Sequence, residues 1–492
     1  MIKKISKSEI ENYLTDEANY KGNCEEVYFP ETEEEVRSIF KTANQNKTSI
    51  TISGARTGLT GGCVPQKGIV LSTEKLNKII EINSEEKYAI VESGVFLSDL
   101  QSELKNSNLF YAPNPTETNC AIGGTVTTNA SGGRTFKYGA TRSFVESIDV
   151  VLPSGECTTI NRGEQFLKEY SGQINLTSDK TIQIEIPQYK MPNTKHAAAY
   201  FCKADMDLID LFIGAEGTLG FITRVKLKLN SVPNNILSML IYFDNENDSF
   251  SFVDETRSKS KNKNSIIDFR ELEFIDNNSL NLIREEFSSI PTNTKAAIYI
   301  EQEYSDEIED DLLGEVLESI ENNNGDSENI WFAQSEKETE NIKAFRHAIP
   351  TKINEIIARN NVTKVGTDTA VPDSKFSEFY FYTKELITNS NIEYAVFGHI
   401  GDSHVHFNML PKNEVELKTC KDIYRKICKK SVELGGTISA EHGIGKLKTQ
   451  YLTEMFSEEE ILQMAKLKKT FDPNLILNIG NIIEEKYLEL LK

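Results

Sequence analysis

The sequence predicts an α+β protein in which a glycine-rich domain is followed by an α/β domain with an antiparallel sheet. Short β-branched strands and glycine-rich loops continue to about residue 229. From about residue 231, longer alternating strands are interleaved with charged helices, and glycine-rich sequence returns at residues 397 and 435. Because 492 residues are too many for one hydrophobic core, we expect domains over residues 1–229 and 230–430 and a C-terminal segment over 431–492.

The first predicted elements follow from the stretch "EVYFPETEEEVRSIFKTANQNKTSITISG". A strand at Val27–Phe29 ends at Pro30, and Thr32 precedes the acidic first turn of a helix. The apolar face of that helix contains Val36, Ile39 and Phe40. A second, β-branched strand follows in "SITISG". The N-terminal stretch "MIKKISKSEIENYL" has no apolar core, so it predicts an amphipathic helix rather than a signal peptide.

Composition restricts the partners and the compartment. The net charge of −21 disfavours nucleic acid and anionic membranes, because both would repel the chain. The sequence contains no run of 18 apolar residues, so it predicts no transmembrane helix. The seven cysteines are scattered and form no CxxC motif, which argues against a disulfide framework, a zinc ribbon and a cysteine-ligated iron–sulfur cluster. We therefore expect reduced thiols and a cytoplasmic location.

The second half of the chain predicts strands at residues 237–243 and 295–304, between long charged helices. The segment 299–342 is strongly acidic, and we interpret it as a solvated helix face. Within it, "NNNGDSEN" is typical of an exposed loop.

The first half of the chain contains three glycine-rich loops: "SGARTGLTGGCVP" (53–65), "PNPTETNCAIGGTVTTNASGGRTFKYGATR" (113–142) and "GAEGTLGFITRVKLKL" (214–229). The first matches neither a P-loop nor a Rossmann fingerprint, and alone it could be a tight turn between strands. Closely spaced glycines allow backbone N–H groups to converge on a phosphate. Three such loops together favour a ligand with an extended flat body and a phosphate tail.

Two glycine-flanked stretches hold most of the histidines. "FGHIGDSHVHFN" (397–408) contains three of the six, at His399, His404 and His406. His404 and His406 would share one face of a strand, and the turn between them and His399 can fold His399 back. "GGTISAEHGIGKLK" (435–448) supplies a carboxylate and another imidazole. This pattern indicates either a divalent metal site or a hydrogen-bonded histidine cluster.

These motifs, over residues 25–485, resemble the vanillyl-alcohol oxidase / p-cresol methylhydroxylase flavoprotein superfamily. The FAD-linked D-lactate, D-2-hydroxyglutarate and glycolate dehydrogenases are the most similar group. The resemblance implies a two-subdomain FAD-binding domain and an α/β substrate (cap) domain. It also implies that the C-terminal segment carries an active-site Glu-His-Gly and packs back on the FAD domain.

The resemblance implies noncovalent FAD, because the histidine that carries covalent flavin in some members is absent from the first loop. That loop would bind the pyrophosphate, the second the ribityl chain and isoalloxazine, and the third the adenosine end. The residues implied to bind FAD are Ser53, Gly54, Ala55, Arg56, Thr57, Gly58, Gly61, Gly62, Pro115, Thr116, Gly123, Gly124, Thr127, Thr128, Asn129, Gly139, Thr141, Glu216, Gly217 and Ile222. The chain departs from the family at His196 and Ala199, where relatives have Asn and Gly.

The two histidine stretches resemble the family motifs HxGDGNxH and GEHG. That resemblance implies a divalent metal, Zn or Mn, held by His399, His406 and Glu441, and it makes His442 the catalytic base, with a pKa near neutral. His404 stands where the family has Asn. It is an additional ligand, a partner of a ligand or a substrate contact, and the sequence does not distinguish these roles.

"IKAFRHAIP" (342–350) resembles a family segment whose arginine binds the substrate carboxylate, which makes Arg346 the candidate anchor rather than a surface arginine. Gly366 stands where some relatives have a substrate-binding lysine. Unless Lys364 compensates, this favours a monocarboxylate such as lactate over 2-hydroxyglutarate. Lys448 matches a family lysine with either a structural or a catalytic role.

The resemblance implies FAD-dependent oxidation of a small D-2-hydroxy acid, D-lactate or similar, to the 2-oxo acid, with hydride transfer to the flavin. The electron acceptor would be a quinone, a cytochrome or an electron-transfer flavoprotein, and the family allows a homodimer. One alternative is the flavoprotein subunit of a glycolate oxidase-like or other electron-transfer complex. A nonredox flavoprotein akin to alkyl-glycerone-phosphate synthase is a third interpretation, against which the two histidine motifs argue.

Overall fold

The computed structural model of the protein describes residues 2–333 and 335–491. The strands, in chain order, are β1 (Ile2–Lys4), β2 (Glu26–Phe29), β3 (Ile50–Ser53), β4 (Ile69–Ser72), β5 (Ile79–Asn83), β6 (Tyr88–Glu92), β7 (Leu109–Phe110), β8 (Val145–Val151), β9 (Cys157–Asn161), β10 (Ser171–Asn175), β11 (Thr181–Glu185), β12 (Phe221–Lys228), β13 (Asn230–Ser231), β14 (Asn235–Phe243), β15 (Phe269–Asp276), β16 (Ala296–Tyr304), β17 (Trp331–Phe332), β18 (Val365–Gly366), β19 (Tyr394–Gly398) and β20 (His406–Met409).

The helices are α1 (Lys7–Ile10), α2 (Glu33–Asn46), α3 (Leu97–Leu104), α4 (Ile122–Thr128), α5 (Thr135–Tyr138), α6 (Ile209–Phe212), α7 (Glu246–Lys261), α8 (Asn277–Ile283), α9 (Glu309–Asn322), α10 (Glu336–Asn360), α11 (Phe376–Thr388), α12 (Glu414–Glu433), α13 (Glu458–Phe471) and α14 (Glu485–Glu489). No helix in the described ranges combines the length and the apolar character needed to cross a bilayer.

The first half is built on two main sheets. The first has strand order β1-β2-β4-β3, with β4 parallel to both β2 and β3. The second is an antiparallel sheet of order β5-β6-β12-β8-β9. Helix α2 begins at the predicted cap, where the Thr32 side chain accepts from the N–H of Glu35, and its buried face contains Val36, Ile39, Phe40 and Ala43. The predicted strands and helix of this region are confirmed.

The N-terminal prediction is wrong. Residues Ile2–Lys4 form strand β1, which pairs antiparallel with Val27–Phe29, and only the four residues Lys7–Ile10 form an α-helix. The free edge of β2 offers hydrogen-bond partners that a lone amphipathic stretch lacks, and this tertiary pairing overrides local helix propensity.

The second half is built on a seven-stranded antiparallel sheet of order β17-β14-β16-β15-β19-β20-β18. The predicted strands correspond to β14 and β16. Helix α9 agrees with the predicted solvated acidic helix, since it buries only one apolar stripe. The interpretation is wrong for Glu301, which lies on β16, is fully buried and pairs with Arg270, with Nη2 2.5 Å from Oε2. A buried carboxylate requires such a partner.

The C-terminal segment is hydrogen-bonded to strand β3 of the first sheet and to the turn that precedes β12. The N–H of Ile52 donates to Oδ1 of Asn478 at 2.8 Å. Lys468, only 1% exposed, donates to the carbonyl of Thr218 and to Asp472, each at 3.0 Å. Residues 435–448 lie beside the glycine-rich loops of the first half, where the N–H of Gly445 donates to Glu216 at 2.7 Å.

Candidate active site

A single turn assembles the three neighbouring histidines. Strand β19 ends at Gly398, a 3₁₀ turn spans Ile400–Asp402, and β20 begins at His406. The N–H of His404 donates to the carbonyl of His399 across this turn at 3.2 Å. The ring centroids of His404 and His406 lie 4.6 Å apart, and that of His399 lies within 6.0 Å of both. The predicted return of His399 is therefore confirmed.

Glu441 completes this group from 35 residues downstream of His406. Its Oε1 lies 3.1 Å from Nε2 of His406, and its Oε2 lies 3.5 Å from Nε2 of His399. One ligand atom from each of these three residues lies within 4.8 Å of the others. Two imidazoles and a carboxylate at this spacing can hold one divalent cation.

The far nitrogens of the two outer histidines are held by oxygen acceptors. Nδ1 of His399 is hydrogen-bonded to the buried carboxylate of Glu273, and Nδ1 of His406 contacts the carbonyl oxygen of Thr367 at 2.8 Å. Both contacts orient Nε2 toward Glu441. Carboxylates and carbonyls in this position typically fix the ring orientation of metal-binding histidines.

Glu441 also has cationic and hydroxyl partners. Its Oε2 accepts from Lys195 at 2.8 Å and from Ser131 at 2.9 Å. Burial alone would raise the pKa of Glu441, but Lys195 and His399 hold that pKa well below its usual range. Glu441 is therefore ionised, as a metal ligand must be.

His442 lies beside the same cluster. Its ring stacks on that of His406 with centroids 5.3 Å apart and planes 6° from parallel, and its Nδ1 lies 3.6 Å from Oδ2 of Asp368. Burial lowers the pKa of His442 to about 4, although Asp368 opposes the shift. The expectation of a near-neutral pKa is wrong, because it takes no account of burial. The ring is neutral at pH 7, which a proton acceptor requires.

Asp368 fixes the turn that carries Glu441 and His442. It is fully buried and accepts from the backbone N–H of both residues, at 3.1 and 3.0 Å. Lys448 and the hydroxyl of Ser439 donate to its Oδ2, each at 2.6 Å. Lys448 thus has a positioning role through Asp368.

Arg346 is not a surface arginine. It lies on α10 with its side chain 19% exposed, and its Nη2 is 2.8 Å from Oε2 of Glu273. Because Glu273 also holds His399, the chain Arg346–Glu273–His399 links the predicted substrate anchor to the predicted metal site.

The first glycine-rich loop lines a cavity of about 220 Å³ together with Gly94 and Ala121. Arg56 of this loop pairs with Glu74 at 2.9 Å. The Oγ of Ser53 is buried without a hydrogen-bond partner among the described residues. A Cβ added at Gly58 or Gly124 would meet no atom within 4 Å. Open space beside glycines and an orphaned hydroxyl suit a ligand that approaches the backbone closely, and FAD fits this description.

A larger cavity of about 490 Å³ lies elsewhere, between Lys47, Lys67 and the C-terminal residues 474–489. None of the predicted site residues lines it. Its walls carry no cluster of catalytic groups, so the site is assigned by the chemistry of its side chains and not by cavity size.

The remaining predicted FAD residues lie around helix α4 and the turn that precedes β12. Thr127 and Thr128 donate their hydroxyls back to the carbonyls of Gly123 and Gly124, both at 2.9 Å. Pro115 is half-buried and Thr116 is exposed. The others are placed as follows: Asn129 accepts from the N–H of Arg142, Thr141 donates to the carbonyl of Ala130, Gly139 ends α5, and Ile222 is buried on β12.

Glu216 joins the third loop to the catalytic turn. Its Oε1 accepts from the N–H of Ile444 at 2.6 Å, and its Oε2 accepts from that of Gly445 at 2.7 Å. The backbone of Thr60, in the first loop, accepts from Lys446 at 2.8 Å. The predicted cofactor loops and the predicted catalytic turn are therefore one connected structure.

Three residues of the site did not emerge from the sequence: Lys195, Glu273 and Asp368. Glu273 had a signal, because "DFRELEFID" places charged residues inside an apolar strand, and a strand buried on both faces needs partners for them. Lys195 and Asp368 lie next to His196 and two residues after Gly366, where the chain departs from the family, and neither residue carries a local signal of its partners.

Two further residues concern the departures from the family pattern: His196 is one departure, and Lys364 is the candidate to replace the lysine that is absent at Gly366. Nδ1 of His196 lies 2.8 Å from the hydroxyl of Thr437, and burial lowers the pKa of His196 to about 3. Burial also lowers the pKa of Lys364, whose charged neighbour is Glu17 of the N-terminal segment. Neither residue contacts Glu441 among the described residues.

Comparison with known proteins shows two family matches and several relatives that span most of the chain. The family described as "FAD binding domain" matches residues 25–161, and the family described as "FAD linked oxidases, C-terminal domain" matches residues 233–482. D-lactate dehydrogenase of Anaerostipes hadrus is 31% identical over 456 residues, 91% of this chain and 87% of that protein. Glycolate oxidase subunit GlcD of Bacillus subtilis is 30% identical over 470 residues, 94% of this chain and 90% of that protein.

A D-2-hydroxyglutarate dehydrogenase of Xanthomonas citri is 27% identical over 492 residues, 98% of this chain and 94% of that protein. Among solved structures, an alkyldihydroxyacetonephosphate synthase has a TM-score of 0.68 at 15% identity and covers 97% of this chain and 82% of its own. That likeness is one of fold, a mixed α and β architecture.

Proposed function

This chain belongs to the FAD-linked oxidase family, and we propose that it oxidises a small D-2-hydroxy acid to the 2-oxo acid with the aid of a divalent cation. The observation that carries the proposal is the convergence of His399, His406 and Glu441 within 4.8 Å of one another, beside the neutral imidazole of His442. As an FAD-linked oxidoreductase, the protein binds FAD through its first domain.

FAD, when bound, supplies the acceptor of the hydride from C2, and a divalent cation, when bound, supplies a Lewis acid for the substrate oxygens. The protein residues supply the rest. His442 takes the hydroxyl proton, since its ring is uncharged at neutral pH and remains 26% exposed beside the cluster. Arg346 binds the substrate carboxylate with the nitrogens that Glu273 leaves free.

The charges around the site support a divalent cation. Glu441 is ionised, and its two oxygens face the imidazoles of His406 and His399. Neutral imidazoles and an ionised carboxylate are the protonation states that a metal ion binds. Arg346 offers guanidinium nitrogens to a substrate carboxylate.

A second candidate is the flavoprotein subunit of a glycolate oxidase-like complex, favoured by the 30% identity to a protein named as such a subunit. The two candidates share the same half-reaction at the flavin. They differ in whether the isolated chain sustains turnover with an added acceptor, as a dehydrogenase would, or shows little turnover without the other subunits of a complex.

The test is anaerobic reduction of the bound flavin, followed by its visible absorbance, with D- and L-lactate, glycolate and D-2-hydroxyglutarate. We expect D-lactate to bleach the flavin fastest. The variant His442→Asn should keep the flavin spectrum and lose 10²- to 10⁴-fold in rate, the usual contribution of a general base. Bleaching by none of these acids in flavin-loaded protein would contradict the proposal, and near-wild-type rates in His442→Asn would place the base elsewhere.

A further inference from the structure

We propose that His404 is a fourth protein ligand of the cation, so that the metal is held by three imidazoles and Glu441 rather than by two imidazoles and Glu441. The inference rests on the proposed metal site and goes beyond it, because the family motif has Asn at this position. It also specifies the class of metal that the site accepts.

The first observation is that His404 is buried with unused ring nitrogens. The side chain is 0% exposed, and neither Nδ1 nor Nε2 forms a hydrogen bond within the described residues. A buried polar group left without a partner costs about 1–3 kcal/mol. The arrangement calls for a partner, and a bound cation would supply it.

The second observation is the direction of the ring. Nδ1 of His404 lies 4.0 Å from Oε2 of Glu441, the same oxygen that lies 3.5 Å from Nε2 of His399. Its other nitrogen, Nε2, lies 3.2 Å from Oδ1 of Asp368. His404 therefore has the same kinds of neighbour as His399, Glu441 on one side and a buried carboxylate on the other, although its contact with Asp368 lacks hydrogen-bond geometry. A carboxylate beside a metal-binding histidine typically orients its ring.

The ring spacings agree with one shared ion. Imidazoles bound to one ion at about 2.1 Å have ring centroids roughly 4.5–5.5 Å apart. The observed separations are 4.6 Å between His404 and His406, 5.7 Å between His399 and His404, and 6.0 Å between His399 and His406. Contraction of the rings by less than about 1 Å would bring all three nitrogens onto one ion.

One ion explains the geometry better than two. Asp368, His404 and Glu441 also form a group with ligand atoms within 4.8 Å. Asp368, however, already accepts from Lys448, Ser439 and two backbone N–H groups. These four donors use the acceptor capacity of its two oxygens, so a second cation there would have to displace them. We therefore assign Asp368 to orienting His404 and not to binding a metal itself.

Four protein ligands restrict the metal. A 2-hydroxy acid that chelates through its hydroxyl and carboxylate needs two more positions, which makes six in total. Tetrahedral zinc would be closed by the four protein ligands alone. An ion that accepts six ligands, such as Mn²⁺ or Fe²⁺, keeps two positions open. The site therefore favours Mn²⁺-type over Zn²⁺-type occupancy for activity.

The test counts imidazoles and measures affinity on the full-length, flavin-loaded protein. Cu²⁺-loaded protein is examined by pulsed EPR, which detects the remote nitrogen of each bound imidazole, and Mn²⁺ affinity is measured by EPR titration. The variants are His404→Asn and His404→Phe, the second filling the volume if the first destabilises the fold. His347→Asn, on α10 and outside the cluster, is the matched control.

We expect three imidazoles in the wild type and in His347→Asn, two in the His404 variants, and Mn²⁺ binding weakened by more than tenfold in those variants. Two imidazoles in the wild type, or an unchanged Mn²⁺ dissociation constant in both variants, would overturn the fourth ligand alone. Failure of the wild type to bind any divalent ion would overturn both this inference and the metal part of the proposed function. Flavin reduction by the hydroxy acid would still report separately on the oxidation.

Discussion

Replacement of Arg346 separates its two roles, as the partner of Glu273 and as the substrate anchor. Arg346→Met removes a guanidinium 2.8 Å from a carboxylate that is 1% exposed. Breaking a buried ion pair from one side costs about 3–5 kcal/mol. Because His399 still holds the other oxygen of Glu273, we expect the lower end, about 3 kcal/mol. With an unfolding entropy of roughly 1 kcal/mol/K for a chain of 492 residues, Tm should fall by about 3 °C.

The same change should weaken substrate binding. A hydrogen bond to a charged group contributes about 1.5–3 kcal/mol, so KM for D-lactate should rise roughly 10- to 150-fold. Arg346→Lys keeps a positive charge beside Glu273 and loses the fork that matches a carboxylate. We expect the Tm of Arg346→Lys to fall less than that of Arg346→Met, while its KM for D-lactate still rises.

Thermal melting and steady-state kinetics with a dye acceptor measure the two effects. Arg425→Met is the matched control, because Arg425 is 47% exposed and pairs with Glu454 at the surface, where an ion pair contributes little. A wild-type KM in Arg346→Met, together with a lowered Tm, would refute the substrate role and leave Arg346 as a structural partner of Glu273 only.

Two further predictions concern the cofactor loops. A Cβ at Gly123 would lie 2.6 Å from Cβ of Ser93, whereas one at Gly124 would meet nothing within 4 Å. Gly123→Ala should therefore lower the Tm of the apoprotein. Gly124→Ala should stabilise the apoprotein by up to about 1 kcal/mol, because alanine has the higher helix propensity. The same change should weaken FAD binding by about 1–3 kcal/mol, measured by flavin fluorescence titration. Unchanged affinity would mean that FAD does not approach this helix. Glu216→Gln puts an amide donor opposite one of two backbone N–H groups and should cost about 1–3 kcal/mol of stability, seen as lower Tm and partial loss of FAD; a wild-type Tm would contradict the structural role assigned to Glu216.

The features that could be predicted from the sequence are those set by interactions between residues close together in the chain. The cap at Thr32 and the buried face of α2 follow from side-chain spacing, and the glycine-rich loops follow from backbone freedom. The return of His399 toward His406 could be predicted because a turn separates them by only a few residues.

The rest depends on contacts between distant parts of the chain. Lys195 and Glu441 are 246 residues apart, and Glu273 and His399 are 126 apart. No local pattern reports such a pairing. The low pKa of His442 likewise arises from burial by several elements, and strand β1 exists because β2 offers it a free edge. The orientation of His404 toward both Glu441 and Asp368 belongs to the same class of information.

Metal-assisted oxidation is tested most directly by comparing flavin reduction by D-lactate in metal-depleted and Mn²⁺-restored protein at equal FAD content, under anaerobic conditions. We expect depletion to leave the flavin spectrum intact and to slow its reduction strongly, and we expect Mn²⁺ to restore the rate. Reduction at the full rate in protein shown to be metal-free by elemental analysis would contradict this expectation, because the cluster of His399, His406 and Glu441 would then have no part in the oxidation.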